Sequence, residues 1–124
     1  MEATKRHFYT ESQLEMANLC KALGHPARIT IIEKLLEYEN LNCSDLKYFI
    51  PLAQSTISQH LSVLYEAGIL GYQVENNGAI YKVNKNVVQI VSDYLQKISR
   101  ASEKHSIHKL YTYFKPISQT YFKT

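Results

Sequence analysis

Six polar side chains fall within seven consecutive positions of the chain: Gln54, Ser55, Thr56, Ser58, Gln59 and His60. All of them carry hydrogen-bonding groups. A carboxamide such as that of Gln59 can pair with adenine through two bonds at once, and a Ser or Thr hydroxyl suits a base edge or a phosphate. They surround an apolar series, Ile57, Leu61 and Leu64, whose steps of four and three mark one face of a helix. Such a polar face can also be merely solvated. Catalysis finds weaker support. Ser58 and His60 stand two apart on that helix, so they do not face each other and make a poor nucleophile–base pair. No Gly-x-Ser-x-Gly elbow, phosphate loop or His-Glu-x-x-His helix is present. A binding protein is expected, not an enzyme.

Other residues suggest sensing. His105 and His108 stand three apart near the C-terminal end and can chelate a metal together, with His7 as a third ligand if the first and last helices pack. Two exposed polar residues on a basic helix end are the simpler reading. Of two cysteines, Cys20 lies near an apolar stripe and is expected to be buried as a small hydrophobe. Cys43 stands at a helix start, where a thiolate is favoured, and is the redox candidate.

The elements that must position these groups follow from periodicity. Leu14, Met16, Ala17, Leu19, Cys20 and Leu23 predict a helix over 11–23, closed by Gly24 in a left-handed conformation. Pro26 suits a first helical turn, and Ile29, Ile32, Leu35 and Leu36 make the expected buried stripe of a second helix to about residue 39. Asn42 and Asp45 have the spacing of an N-cap and its acidic third position, opening a third helix through Ile50 that Pro51 ends. A fourth helix spans about 54–67, and Gly68 stops it. The third and fourth helices make a helix-turn-helix candidate over 43–67. Alternation over 69–75 and 79–83, with Asn76-Asn77-Gly78 between, predicts a hairpin. Val87, Val91, Tyr94, Ile98 and Ala101 form a narrow seam on a long last helix, suited to pairing with another helix. The fold class expected is mainly α with a small β-hairpin, in one domain over 1–124.

Composition agrees. At 124 residues, 45% hydrophobic and 20% charged, the chain has room for one compact domain and the make-up of a globular one. It holds no run that could span a membrane, and its polar start lacks the apolar core of a secretory signal. A cytoplasmic location with reduced thiols is expected. The net charge of +3 is unevenly placed: residues 85–124 hold seven basic and two acidic side chains, while the rest is slightly acidic. The aromatic, basic segment 110–123 suits nucleic-acid stacking or an organic effector pocket, with packing across a dimer the commoner explanation.

Residues 19–83 resemble the ArsR-type winged helix-turn-helix repressors. The resemblance rests on Lys21-Ala22-Leu23-Gly24-His25-Pro26-Ala27-Arg28-Ile29, on Cys43-Ser44-Asp45-Leu46, and on Gln54-Ser55-Thr56-Ile57-Ser58-Gln59-His60-Leu61. Ala67-Gly68 and a hairpin ending in Tyr81 complete it. It implies a homodimer held by the first and last helices (11–23 and 85–114). It also implies binding to double-stranded, pseudo-palindromic operator DNA and repression until an effector acts. DNA contacts are then expected from Gln54, Ser55, Thr56, Ser58, Gln59 and His60, and from Asn76, Asn77 and Lys82 of the wing (69–83).

Departures from the family pattern carry information of their own. Ala53 stands where a Ser or Thr cap is common, which should cost about 1 kcal/mol of helix stability. The wing offers Gln73, Glu75, Asn76 and Asn77, with Lys82 its only cation. Cationic contacts must then come from Arg28, Lys47, Lys5 and Arg6, or from the partner subunit. The Cys-x-Cys metal positions of relatives hold Asn42 and Ser44, and those of the last helix hold Lys85, Val87, Ile98 and Ala101. No metal and no cofactor is expected. The uncharged wing and Ala53 keep a second reading open, a winged-helix protein-interaction module with weak or no DNA binding.

Overall fold

The structure is a computed structural model that describes residues 7–76 and 78–101. Packing divides the chain into two compact units, 1–91 and 92–124. The elements run α1 (Glu11–Leu23), α2 (Pro26–Glu37), α3 (Cys43–Leu46), α4 (Gln54–Glu66), β1 (Leu70–Glu75), β2 (Gly78–Val83) and α5 (Lys85–Ala101). This is the winged helix-turn-helix order, mainly helical with one antiparallel hairpin.

Local chemistry sets most boundaries. Thr10 caps α1 through a reciprocal box with Gln13, at 3.0 and 2.9 Å. Gly24 closes α1, but at φ −81° rather than in the expected left-handed region. Its amide donates to the Lys21 carbonyl, a tighter turn that needs no positive φ. His25 is the N-cap of α2, its Nδ1 accepting from the Ala27 amide at 3.0 Å. The buried stripe of α2 differs from the expected one. Ala27 and Ile31 turn inward with Ile32 and Leu35 beside them, whereas Ile29 and Leu36 are exposed. Four-residue steps from Ala27 through Ile31 to Leu35 define a face, and Ile29 and Leu36 lie together on the opposite side of the helix.

Asn42 and Asp45 form the predicted reciprocal cap, at 2.8 and 2.9 Å. The helix they open is only four residues long. It continues to Phe49 as turns with three-residue spacing, such as Tyr48 N–H to the Asp45 carbonyl. At Gly68, φ is +81°, a conformation that only glycine adopts at little cost, and the chain turns there from α4 into β1. The hairpin pairs Glu75 with Gly78, leaving a two-residue loop at 76–77. The Tyr81 amide donates to the Leu41 carbonyl, tying the wing to the α2–α3 loop.

Ile31, Leu46, Ile57, Leu61, Leu64 and Ile69 are the fully buried heart of the first unit. Each such side chain contributes about 1.5–3 kcal/mol by leaving water. Val91 of α5 joins this core. In the second unit the described residues 92–101 continue α5, and Tyr94, Leu95 and Ile98 are exposed.

Candidate nucleic-acid interface

Helix α4 separates its two faces sharply. Ile57, Leu61 and Leu64 are at most 1% exposed, while Gln54, Ser55, Ser58 and Gln59 face solvent. Thr56 and His60 are half-buried at the edges. Burial of the apolar stripe fixes the rotation of the helix, and with it the direction of the polar row. The N-cap Ala53 makes no side-chain hydrogen bond. Its carbonyl accepts from the Thr56 and Ile57 amides, both at 3.0 Å, so no side-chain oxygen competes for the amides of the first turn. A helix start in that state favours an anion such as a phosphate.

One ring nitrogen of His60 is engaged within the fold. Its Nδ1 lies 3.2 Å from a terminal nitrogen of Arg28, and its ring is 4.4 Å from that of His25. Burial, His25 and the Arg28 guanidinium together push the imidazole below its ordinary value, so the ring is neutral at pH 7. Arg28 in turn donates through Nε to the Ala22 carbonyl and through its second terminal nitrogen to the Lys21 carbonyl. The expectation that Arg28 supplies a cationic DNA contact is therefore corrected. Its guanidinium is committed inside the fold. Nothing in the sequence signals a contact across 32 positions, although Pro26 at the first helical position does place His25 at the cap.

The wing carries little positive charge where it projects. Lys82 pairs with Gly71, the second pair from the base of the hairpin, so it lies far from the tip. Asn76 stands at the tip, where it shares a polar cleft with Asn40, Asn42, Asp45 and Glu75. Asn77 lies outside the described residues. Tyr65, Tyr72 and Tyr81 form a ladder with ring centres 5.2 and 5.8 Å apart, bracing the base of the wing on α4. Lys34 is held by Glu37 at 3.1 Å and lies over the Phe49 ring at 5.1 Å. Lys47 is exposed beside Cys43. Lys5 and Arg6 lie outside the described residues.

Of the sensor candidates, His7, Cys20 and Cys43 fall among the described residues, and the structure does not bring these three together. His7 is exposed and packs against Phe8, while His105 and His108 lie outside the described residues. No group of three metal-ligating side chains occurs among the described residues. Asn42, at one of the family's thiolate positions, serves instead as the α3 cap. Both cysteines are free. Cys20 is exposed, contrary to expectation, because Met16, Leu19 and Ala22 take the inward face of α1. Cys43 opens a helix too short to favour a thiolate. Burial pushes its thiol up, partly offset by Lys47, and the S–H donates to the Gln54 carbonyl at 3.6 Å.

A fully buried helix-turn-helix core, a polar outward row on its second helix and an appended hairpin define a winged-helix DNA-binding regulator. Comparison with known proteins narrows this. Residues 25–72 match the model of bacterial regulatory proteins of the arsR family. The biofilm growth-associated repressor of Xylella fastidiosa is 32% identical over 100 residues, spanning 81% of this chain and 74% of that protein. The crystal structure of the transcriptional repressor BigR from Xylella fastidiosa aligns with a TM-score of 0.55 at 30% identity, over 75% of this chain and 92% of that one. An ArsR-like transcriptional regulator from Rhodococcus sp. RHA1 shares the fold, with a TM-score of 0.67 at 19% identity, over 77% of this chain and 89% of that one. The chain belongs to the ArsR family of transcriptional repressors with a DNA-binding helix-turn-helix, and it is a regulator, not an enzyme. No helix among the described residues is long and apolar enough to cross a membrane.

Proposed function

We propose that the chain acts in the cytoplasm as a homodimer. Its paired α4 helices read a pseudo-palindromic operator and repress transcription until an effector binds. The observation that carries this reading is the outward row Gln54, Ser55, Ser58 and Gln59, rigidly backed by Ile57, Leu61 and Leu64. The names of the Xylella relatives, both repressors, support it. For the dimer, α5 leaves Val88, Ile90, Leu95 and Ile98 uncovered, more apolar surface than a lone helix face tolerates well in water. Two such α4 helices would sit about 34 Å apart, one turn of duplex. With Asn42, Ser44, Lys85, Val87, Ile98 and Ala101 at the family's metal positions, the effector is read as something other than a metal held there.

Selection from a random duplex library at two salt concentrations tests this. An inverted repeat should be enriched, and binding should weaken as salt rises, with a shallow slope because the wing tip and α4 bring no Lys or Arg. Changing Ser58 and Gln59 together to Ala should cost about 1–3 kcal/mol of base discrimination. Unaltered affinity and selectivity in that variant would defeat the proposal. The interaction-module reading draws on one observation, the 74% exposure of Val74 next to a wing tip whose one charge is the Glu75 carboxylate. It takes over if selection recovers no enriched site.

A further inference from the structure

Arg28 joins three helices with one planar group. Its Nε and one terminal nitrogen donate to the carbonyls of Ala22 and Lys21 in the last turn of α1, the Lys21 carbonyl accepting from the Gly24 amide as well. Its other terminal nitrogen meets Nδ1 of His60 on α4 at 3.2 Å. An arginine only donates, so that Nδ1 is an acceptor and the ring's proton sits on Nε2. The same logic holds one ring away. Nδ1 of His25 accepts from the Ala27 amide, a group that also only donates. The two rings lie 4.4 Å apart and tilted.

We infer that Arg28 is a positioning residue for operator binding: with His60 it forms a bridge that fixes α4 against the end of α1 and the start of α2 only while the His60 imidazole is neutral, so acidification loosens the grip on DNA. The inference rests on the DNA-binding reading above. A proton added to His60 Nδ1 would aim N–H at N–H and place a new cation beside the permanently charged guanidinium. His60 follows Gln59 directly and Ser58 by two, so a shift of His60 is a shift of the reading row. Lysine could not substitute, because a single ammonium lacks the fork that spans α1 and α4.

The surroundings offer little to quench such a charge. The groups acting on the His60 ring are His25 and Arg28, both from α2. From α1, Lys21 lines the same cavity as Arg28, a space of about 590 Å³ bordered also by Asn18 and Ser62, with Glu66 of α4 the one carboxylate on its wall. From α3, Cys43 reaches the Gln54 carbonyl, six positions before His60. From β1, Tyr72 packs on Tyr65, five positions after it. The cavity opens the Arg28 side of the bridge to water and hence to protons.

The test uses the full chain and the duplex recovered by selection at pH 7.5, titrated by fluorescence anisotropy at pH 7.5 and 5.5 and constant ionic strength. Wild-type affinity should fall measurably on acidification, by no more than about tenfold for one linked proton, because the His60 imidazole titrates below its ordinary value. His60→Gln keeps a neutral acceptor for Arg28 at either pH, and its affinity should change less than about twofold. Arg28→Lys should bind weakly at both values and lose the pH dependence while keeping its charge. Circular dichroism confirms folding of each variant, and imidazole nitrogen NMR should show Nδ1 of His60 unprotonated at pH 7.5. Affinity that tightens or stays level at pH 5.5 overturns the inference, as does a pH dependence retained in His60→Gln or wild-type binding by Arg28→Lys. A wild-type chain that binds no duplex at pH 7.5 overturns the DNA-binding reading itself. The bridge then stands or falls separately, on whether Nδ1 of His60 is an acceptor.

Discussion

The two helices of the helix-turn-helix begin in opposite ways. At the start of α3, Asn42 and Asp45 exchange side-chain and backbone hydrogen bonds, so the first turn is satisfied from within. At the start of α4, Ala53 offers only a methyl group and makes no side-chain cap. The difference matches what each helix can rely on. A four-residue helix cannot repay the entropy of its own nucleation, so it needs its cap. The thirteen residues of α4 are held by Ile57, Leu61 and Leu64, and the helix can leave its first turn open for a ligand. The two starts also touch, through the Cys43 thiol and the Gln54 carbonyl at 3.6 Å.

The comparison breaks first at the buried stripe. Ile57→Ala should lower stability by about 2–5 kcal/mol in urea denaturation, because a fully buried side chain leaves a cavity. A smaller loss would mean that α4 does not depend on burial as claimed. Asn42→Ala should cost about 1 kcal/mol, since it removes the side-chain acceptor of the Asp45 amide and leaves only the backbone half of the α3 cap. Ala53→Ser should act the other way, raising stability by about 0.5–1 kcal/mol as the serine oxygen takes a first-turn amide. If that variant is no more stable, the start of α4 is already satisfied and the contrast is lost. His60 adds a pH dependence of known sign. Its pKa is lower in the native state than the free value of 6.5, so its contribution to stability is full above that value and drains away as pH falls through it. Thermal melts from pH 7.5 to 5.5 should show the wild type losing more than His60→Gln.

Much of this was legible in the sequence, and the misses share a cause. The helix of 11–23, the Asn42–Asp45 cap, the Ile57/Leu61/Leu64 stripe and the hairpin all depend on residues a few positions apart, where periodicity and turn chemistry act. The stripe of α2 was misread because Ile29 and Leu36 are as apolar as Ile31, and only the packing of α4 and β2 against α2 selects between faces. The polar row of α4 was readable as a solvent-facing set. That His60 turns away from it toward Arg28 was not, because their contact spans 32 positions and involves two residues whose charge suggested DNA instead. Cys43 was misjudged for a related reason. Its place at a helix start was visible, but the shortness of that helix and the burial of the thiol belong to tertiary structure.

Cys43 therefore gives the smallest and most local test of the contrast between the two helix starts. In a Cys20→Ser background it is the sole thiol, and its alkylation by iodoacetamide reports only on the junction of α3 and α4. Burial raises its pKa above the ordinary 9.0, with Lys47 pulling the other way, so the native state favours the thiol over the reactive thiolate. By linkage this stabilises the fold below pH 9.0 and ceases to do so as pH rises through that value toward the raised native one. At pH 8 the folded chain should react about tenfold more slowly than the urea-unfolded chain, in which the thiol is solvated. Asn42→Ala should remove most of that protection by fraying α3, whereas Ala53→Ser should leave it intact, because the Gln54 carbonyl that receives the S–H is unchanged. Were Cys43 to react faster when folded, the helix start would be activating the thiolate after all, and α3 would be the open end of the pair.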